Sequence, residues 1–285
     1  MKVFHHNDID GHASAAIIRL KYGSTTPIQF IECDYTFPLS SYVETISSGE
    51  QVFIVDYSFK SSTLGELLAI CERAGIQNVT WIDHHQTSLK LQDEFSQLRD
   101  MQGIRKEGIS GAALTWMYLY KKEFSEIPLI LQHISDYDCY IKSMPQTDAV
   151  YHGILADDWS YDSSFWQISF SDDEIITFLY QNGSTVLNYL RKDNRLTLKK
   201  WSFETEFLGY KCLAINRKVN SEVFGEDLSQ YPLYCIFQFN GTLWRYTIYS
   251  KQLDCTLLAA KYGGGGHKGA SGFSHPDCLF LNSNP

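Results

Sequence analysis

The chain opens with His5-His6-Asn7-Asp8-Ile9-Asp10-Gly11, and two later apolar runs end in comparable side chains. Val52-Phe53-Ile54-Val55 runs into Asp56, and Val79-Thr80-Trp81-Ile82 runs into Asp83-His84-His85. Carboxylates gathered at one place repel each other unless a cation sits among them, and imidazoles interleaved with them are donors that a divalent transition ion selects. With Asp136 of Ile134-Ser135-Asp136-Tyr137-Asp138, the plausible ligands are His6, Asp8, Asp10, Asp56, His84 and Asp136. These are too many for one ion that keeps an open position; they suit two ions sharing a carboxylate. The mixed imidazole–carboxylate shell favours Mn²⁺ over Mg²⁺, which prefers oxygen alone.

His6, Asp8 and Asp10 alternate along an extended segment, so their side chains point the same way. The competing reading is a polar turn, for which Asp and Asn are ordinary. Asp56 could instead cap a helix, although Ser58 and Ser61 are better placed for that. His5 competes with His6, and Asp138 with Asp136. Near the C-terminus, Gly263–Gly266 lets backbone N–H groups approach an anion with no β-carbon in the way, and His267 adds an imidazole. The alternative there is a flexible linker.

Taken in order, these motifs resemble the DHH phosphoesterase superfamily. The segment Tyr262-Gly263-Gly264-Gly265-Gly266-His267-Lys268-Gly269-Ala270-Ser271-Gly272-Phe273 resembles the glycine-rich part of its partner domain, DHHA1. The resemblance covers nearly the whole chain, and the His-Asn-Asp-x-Asp-Gly opening is most similar to the oligoribonuclease (nano-RNase) and nucleotide phosphodiesterase members. It implies an α/β protein with a parallel-sheet DHH catalytic domain over residues 1–180. A helical linker at 181–202 and a smaller mixed α/β DHHA1 domain at 203–285, across a cleft, would complete it.

The resemblance also assigns roles. His6, Asp8 and Asp56 would hold one ion, and Asp10, Asp56, His84 and Asp136 the other. Asp136 is preferred to Asp138 because the family's ligand directly follows the apolar helix. His6 is preferred to His5, which would face the other side of the strand. His85 would contact phosphate and Asp83 would orient the triplet. His267, Gly264, Gly265, Gly266, Arg217, Asn220, Ser221 and Lys251 would bind substrate. Lys251 stands where arginine is frequent, which removes bidentate phosphate binding. His12 is another departure from the family pattern.

The implied activity is two-metal hydrolysis of short RNA or DNA to nucleoside monophosphates by a water between the ions. Alternatives are a 3′-phosphoadenosine 5′-phosphate phosphatase and a phosphodiesterase for linear or cyclic dinucleotides. A non-catalytic nucleotide-sensing module ranks below these, since no ligand is missing. An inorganic pyrophosphatase is disfavoured by the glycine segment.

The 285 residues, 44% hydrophobic and 20% charged, suit one large domain or two ordinary ones. The net charge of −9 is uneven: residues 1–185 carry −13 and residues 186–285 carry +4. A protein that tracks long nucleic acid needs many cations, so the balance favours a short substrate. No apolar run approaches a membrane span, and no signal peptide is expected. Seven cysteines without a CxxC pair read as reduced residues of a cytoplasmic protein. A homodimer is compatible with the sequence.

Alternating strand and helix signals in the first part imply a parallel sheet covered on both faces. Strands are expected at Val3–His6, Ile28–Glu32, Gln51–Val55 and Val79–Ile82, and helices at Gly11–Tyr22, Ser61–Ala74, Gly111–Lys121 and Ile127–Ser135. A Ser171–Glu174 capping box is expected to start a short helix at Ile175–Tyr180, with a separate helix at Thr185–Trp201. Beyond it, Lys211–Ile215, Leu233–Phe239 and Leu243–Tyr249 read as strands and Cys255–Tyr262 as a helix. Trp159, Tyr161, Phe165 and Trp166 read as core rather than as a base-stacking surface.

Overall fold

The structure, a computed structural model, describes residues 1–34, 39–219, 221–225 and 228–280. Asn220 lies outside the described residues. The chain divides into two compact units, Met1–Leu187 and Asn188–Pro285.

The first unit holds β1 (Lys2–His6), β2 (Gln29–Cys33), β3 (Val52–Val55) and β4 (Val79–Ile82), all parallel, in the order β2-β1-β3-β4. Its helices are α1 (Ile9–Tyr22), α2 (Ser40–Val43), α3 (Leu64–Ala74), α4 (Gln86–Glu94), α5 (Ser96–Arg99), α6 (Gly111–Tyr120), α7 (Leu129–Asp138), α8 (Thr147–Leu155) and α9 (Ser164–Ser169). Side chains alternate across the sheet as strand geometry requires. Phe4, Ile54 and Trp81 pack with Leu67 and Ile70 of α3 on one face. Val3, Phe53 and Val55 pack with Ile18 of α1 and Leu114 of α6 on the other. The inner strands β3 and β4 are buried on both faces, which is why they read as apolar runs, whereas the edge strand β2 exposes Gln29 and Glu32. Between β1 and β3 the chain order reverses direction across the sheet, and such a switch point opens a crevice at the strands' carboxyl ends.

Helix α10 (Ile175–Trp201) is continuous over 27 residues, not two helices. Gly183 sits where a side chain would overlap the carbonyl of Ala149, and Gly153 where one would overlap that of Leu179. The glycine that reads as a break in sequence is instead the contact at which α8 and α10 cross. The expected capping box does not form: Ser171 Oγ donates back to Gln167 and Ile168, while Asp172 accepts from the Glu174 amide.

The second unit is a six-stranded mixed sheet made of β5 (Ser202–Phe207), β6 (Tyr210–Asn216), β7 (Leu233–Phe239), β8 (Trp244–Tyr249), β9 (Gly265–His267) and β10 (Ala270–His275). The order is β5-β6-β7-β8-β10-β9, and only β6 and β7 pair in parallel. Helix α11 (Cys255–Ala260) packs Cys255, Leu258 and Ala259 into its core. Among the described residues no helix is long and apolar enough to cross a membrane, and all seven cysteines are free thiols.

Candidate metal centre

At the carboxyl edge of the first sheet, β1 delivers His6, β3 delivers Asp56 and β4 delivers Asp83 and His84. Asp8 caps α1, accepting from the Gly11 amide at 3.0 Å, and also takes His6 Nδ1 at 2.7 Å. Asp10 lies in the first turn of α1 and accepts the Gly111 and Ala112 amides at 2.6 and 2.9 Å. Those amides are orphan donors at the α6 N-terminus, which suits a carboxylate. Gly111 has to lack a side chain: a β-carbon there would sit 2.6 Å from Asp56 Cβ and 3.1 Å from Asp10 Oδ2.

Asp56 is the centre of the cluster. It is 1% exposed, and neither carboxylate oxygen has a hydrogen-bond partner of acceptable geometry. Its backbone takes φ 52°, a left-handed conformation that Asp tolerates better than most residues. His84 Nε2 lies 3.2 Å from Asp56 Oδ1, 3.2 Å from Asp138 Oδ2 and 3.9 Å from Asp10 Oδ2, and His6 Nδ1 lies 3.9 Å from Asp56 Oδ2. The ligand atoms of His6, Asp8 and Asp56 fall within 4.8 Å of one another, as do those of Asp56, Asp83, His84 and His85. Asp56 is common to both groups.

Burial, then the charges of Asp10, Asp8, Asp138 and Asp83, push the Asp56 carboxyl well above its usual range. Burial with Asp10 and Asp8 does the same to Asp138, which also stands at the negative end of α7. For Asp8, burial acts upward but the hydrogen bond and charge of His6 outweigh it and hold the carboxyl down. Buried carboxylates raised by one another call for positive charge. The orphaned Asp56 oxygens and the His–Asp donor set fit divalent cations.

Asp83 plays a different part. It accepts the His84 amide at 2.9 Å, His85 Nδ1 at 2.7 Å and the Ser88 hydroxyl, and Ser88 in turn lies 3.1 Å from Ser58 Oγ. Burial alone would raise Asp83; the His85 charge and hydrogen bond keep it low. Burial alone would lower His85; the same partner raises it. Each partner thus favours the charged form of the other.

The choice of Asp136 over Asp138 is corrected. Helix α7 continues to Asp138 instead of stopping at Ser135, and residues two apart on a helix point about 200° apart. Only one of the two can face the cluster, and it is Asp138. The Asp136 carboxylate accepts from the Ser143 amide and hydroxyl and from the Met144 amide at 2.8–3.0 Å, fixing the loop after α7. His5 is fully buried on the far side of β1, edge-on to His12 at 4.9 Å and to Tyr161 at 5.5 Å. His12 pairs with Glu32 and accepts from the Tyr161 amide, so it belongs to packing. The Asp10-binding amides of Gly111 and Ala112, and Cys139 beside His84, carried no sequence signal.

In the second unit, the amides of Gly263 and Gly264 close onto the carbonyls of Ala260 and Ala259 at 3.0 Å. Gly264 is thus a helix-ending residue rather than an anion donor, which corrects its expected role. Gly265 and Gly266 pair with Gly272 and Ser271 of β10, and His267 is exposed at the hairpin turn. By register, Lys251 follows the end of β8 that meets Ala270, beside His267. Arg217 and Ser221 follow the opposite end, where β6 runs alongside Phe237 and β8 begins. Arg217 Nη1 is bonded to Thr197 Oγ1 at 3.0 Å. The sheet therefore does not bring the second unit's candidates to one point.

No protein-family model matches the sequence. The chain is 26% identical over 294 aligned positions to an uncharacterized protein of Acanthamoeba polyphaga mimivirus, covering 95% of this chain and 66% of that protein. It thus spans just under two-thirds of the relative's length. Among solved structures, the DHH domain of a member of the s1p family of ribosomal proteins aligns with TM-score 0.58 at 10% identity, covering 95% of this chain and 81% of that one. This is the DHH fold. RecJ from Thermus thermophilus, solved in complex with Mn²⁺, aligns at 0.51 with 14% identity over 98% of this chain and 50% of RecJ. The parallel sheet followed by a mixed sheet agrees with a DHH and a DHHA1 domain.

Proposed function

We propose that the chain is a divalent-metal-dependent phosphoesterase acting on short nucleotide substrates. The observation that carries this reading is Asp56: two buried carboxylate oxygens without hydrogen bonds, at a sheet edge crowded with Asp8, Asp10, Asp138, His6 and His84. His6, Asp8 and Asp56 would hold one ion; Asp56, Asp10, His84 and Asp138 would hold a second. Bound divalent ions supply Lewis acidity toward phosphoryl oxygens and acidify water.

The chain's own groups supply the rest. Asp83, fixed by the His84 amide and Ser88, orients the His85 ring through Nδ1 and favours its cationic form, which suits a phosphoryl oxygen gaining charge. The α6 amides neutralise Asp10 from behind and hold it against His84. In the second unit, the end of the sheet carrying His267 and Lys251 is our choice for substrate contact, in preference to the end carrying Arg217. No nucleophilic Ser or Cys is required.

Short oligonucleotides cut to nucleoside monophosphates are the favoured substrates, since the acidic first part offers no track for a long strand. Mn²⁺ is the first ion to try, a choice supported by the mixed donor set and by the Mn²⁺ complex of RecJ. The test is calorimetric Mn²⁺ titration of the purified chain beside hydrolysis of dinucleotides, longer oligomers, cyclic dinucleotides and 3′-phosphoadenosine 5′-phosphate. Binding of two ions with turnover of a dinucleotide is expected. A chain that binds no Mn²⁺ and cleaves none of these would end the reading.

A further inference from the structure

A histidine that binds a metal through one ring nitrogen needs a partner on the other, to fix the tautomer and hold the ring. The usual partner is a carboxylate or a carbonyl. At His84 it is a sulfur. Nε2 faces Asp56, Asp138 and Asp10 at 3.2, 3.2 and 3.9 Å, while Nδ1 lies 3.7 Å from Cys139 Sγ. Cys139 is the C-cap residue of α7, its amide bonded to the Ser135 carbonyl at 3.1 Å, so its position is set by the same helix end that delivers Asp138. Ser135 Oγ in turn accepts the Ser110 amide at 3.0 Å. Ser110 caps α6, whose next two amides hold Asp10. One chain of contacts thus runs from the α6 N-terminus through Ser135 and Cys139 to His84.

We propose that Cys139 is a positioning residue for His84. Its sulfur accepts the Nδ1 hydrogen and leaves the Nε2 lone pair on the side of Asp56, Asp138 and Asp10, where a divalent cation would be held. The second observation that points to a ligand there is Asp56 itself, buried and without a hydrogen bond on either oxygen. A thiol also differs from a carboxylate in kind: it can accept from Nδ1–H or donate to bare Nδ1. It therefore serves His84 whether Nε2 faces a cation or carries a hydrogen toward the carboxylates. The inference rests on the metal reading above and adds the residue that aims one ligand.

The test uses the full-length chain and Mn²⁺ alone, by calorimetry, with thermal unfolding in chelator as the control for fold. Cys139→Ala should weaken Mn²⁺ binding by about tenfold, the lower end of the effect of losing a ligand's partner, with little change in the unfolding temperature of the chelated protein. Cys139→Ser, which keeps a donor and an acceptor, should recover part of the loss. Substitution with Co²⁺ gives an independent signature, since direct sulfur ligation would produce a near-ultraviolet charge-transfer band that Cys139→Ala abolishes. Unchanged Mn²⁺ affinity in Cys139→Ala, an equal loss in Cys139→Ser, or that cobalt band would each overturn the positioning role. A parent chain that binds no Mn²⁺ overturns the metal reading and this inference together, whereas a binding parent with unaffected variants overturns only the inference.

Discussion

Asp56 is the residue at which folding and the proposed chemistry conflict most sharply. Its carboxyl is raised by burial and by Asp10, Asp8, Asp138 and Asp83, so in metal-free protein its ionised form opposes folding at neutral pH. Asn fits the same cavity and tolerates the left-handed backbone at φ 52°. Asp56→Asn should therefore stabilise the chelator-treated chain by about 1–2 kcal/mol, seen as a rise of roughly 3–6 °C in unfolding temperature, while abolishing Mn²⁺ binding and hydrolysis. A variant that unfolds earlier than the parent in chelator would contradict the crowding argument. Asp138→Asn should likewise lose metal. Asp136→Asn should keep Mn²⁺ affinity within about twofold but cost about 1–2 kcal/mol, because it weakens the hydrogen bonds that hold Ser143 and Met144. Equal effects on metal affinity would mean that both aspartates bind. The Asp83–His85 pair adds a pH dependence whose sign is fixed. His85 is raised above its ordinary 6.5, so its contribution is complete below that value and fades as pH climbs through the folded one. In chelator, the stability gap between parent and His85→Gln should be widest below about pH 6.5 and shrink as pH rises above it; a gap flat with pH would argue against an ionic pair.

Elements are legible in sequence where one local signal suffices. Val79–Ile82 and Leu233–Phe239 are short apolar runs bounded by charged or turn residues, and both form strands with those limits. The failures come where a local signal serves a distant contact. The polar residues after Ser135 suggest the end of α7, yet Asp138 turns inward to His84, and the ligand choice fails with that boundary. The candidate ligands after β1, β3 and β4 are readable because strand ends need no long-range information to expose their side chains. Gly183 suggests a break in α10 because glycine usually weakens helices, whereas here its missing side chain admits the Ala149 carbonyl. That difference can be measured. By helix propensity alone Gly183→Ala would stabilise the protein by about 1 kcal/mol; the crossing of α8 and α10 should reverse the sign and cost about 1–3 kcal/mol. Gly65→Ala in α3, where an added β-carbon meets nothing within 4 Å, should instead be neutral or stabilising by up to about 1 kcal/mol. Thermal unfolding of the two variants side by side decides it, and a stabilised Gly183→Ala would remove the proposed reason for the glycine.

At the scale of the whole molecule, charge limits what the proposed site can act on. Two ions at Asp56 would cleave any phosphodiester that reached them, so selectivity has to come from what the rest of the chain admits and retains. Residues 1–185 carry −13 and residues 186–285 only +4, and the exposed cationic candidates of the second unit are divided between opposite ends of its sheet. A long single strand held along its backbone would release one set of counterions for every phosphate neutralised, giving a salt slope of about −0.7 per contact. With Lys251 as a contact, and His267 as a second when it is protonated, at most about two phosphates are neutralised, and log(kcat/KM) should fall with log salt at a slope no steeper than about −1.4. That slope should be the same for a 5′-phosphorylated dinucleotide, which offers two phosphates, and for a twenty-residue strand, because the proposed contacts are the same. Each added nucleotide instead brings negative charge toward an acidic surface, so kcat/KM should decline steadily with length at low salt and the decline should flatten as salt screens it. Measuring both substrates between about 50 and 200 mM salt tests the claim. A slope several times steeper on the long strand, with rates equal to or above those on the dinucleotide, would require a cationic track that the chain's charge distribution does not supply, and the substrate would have to be a polymer.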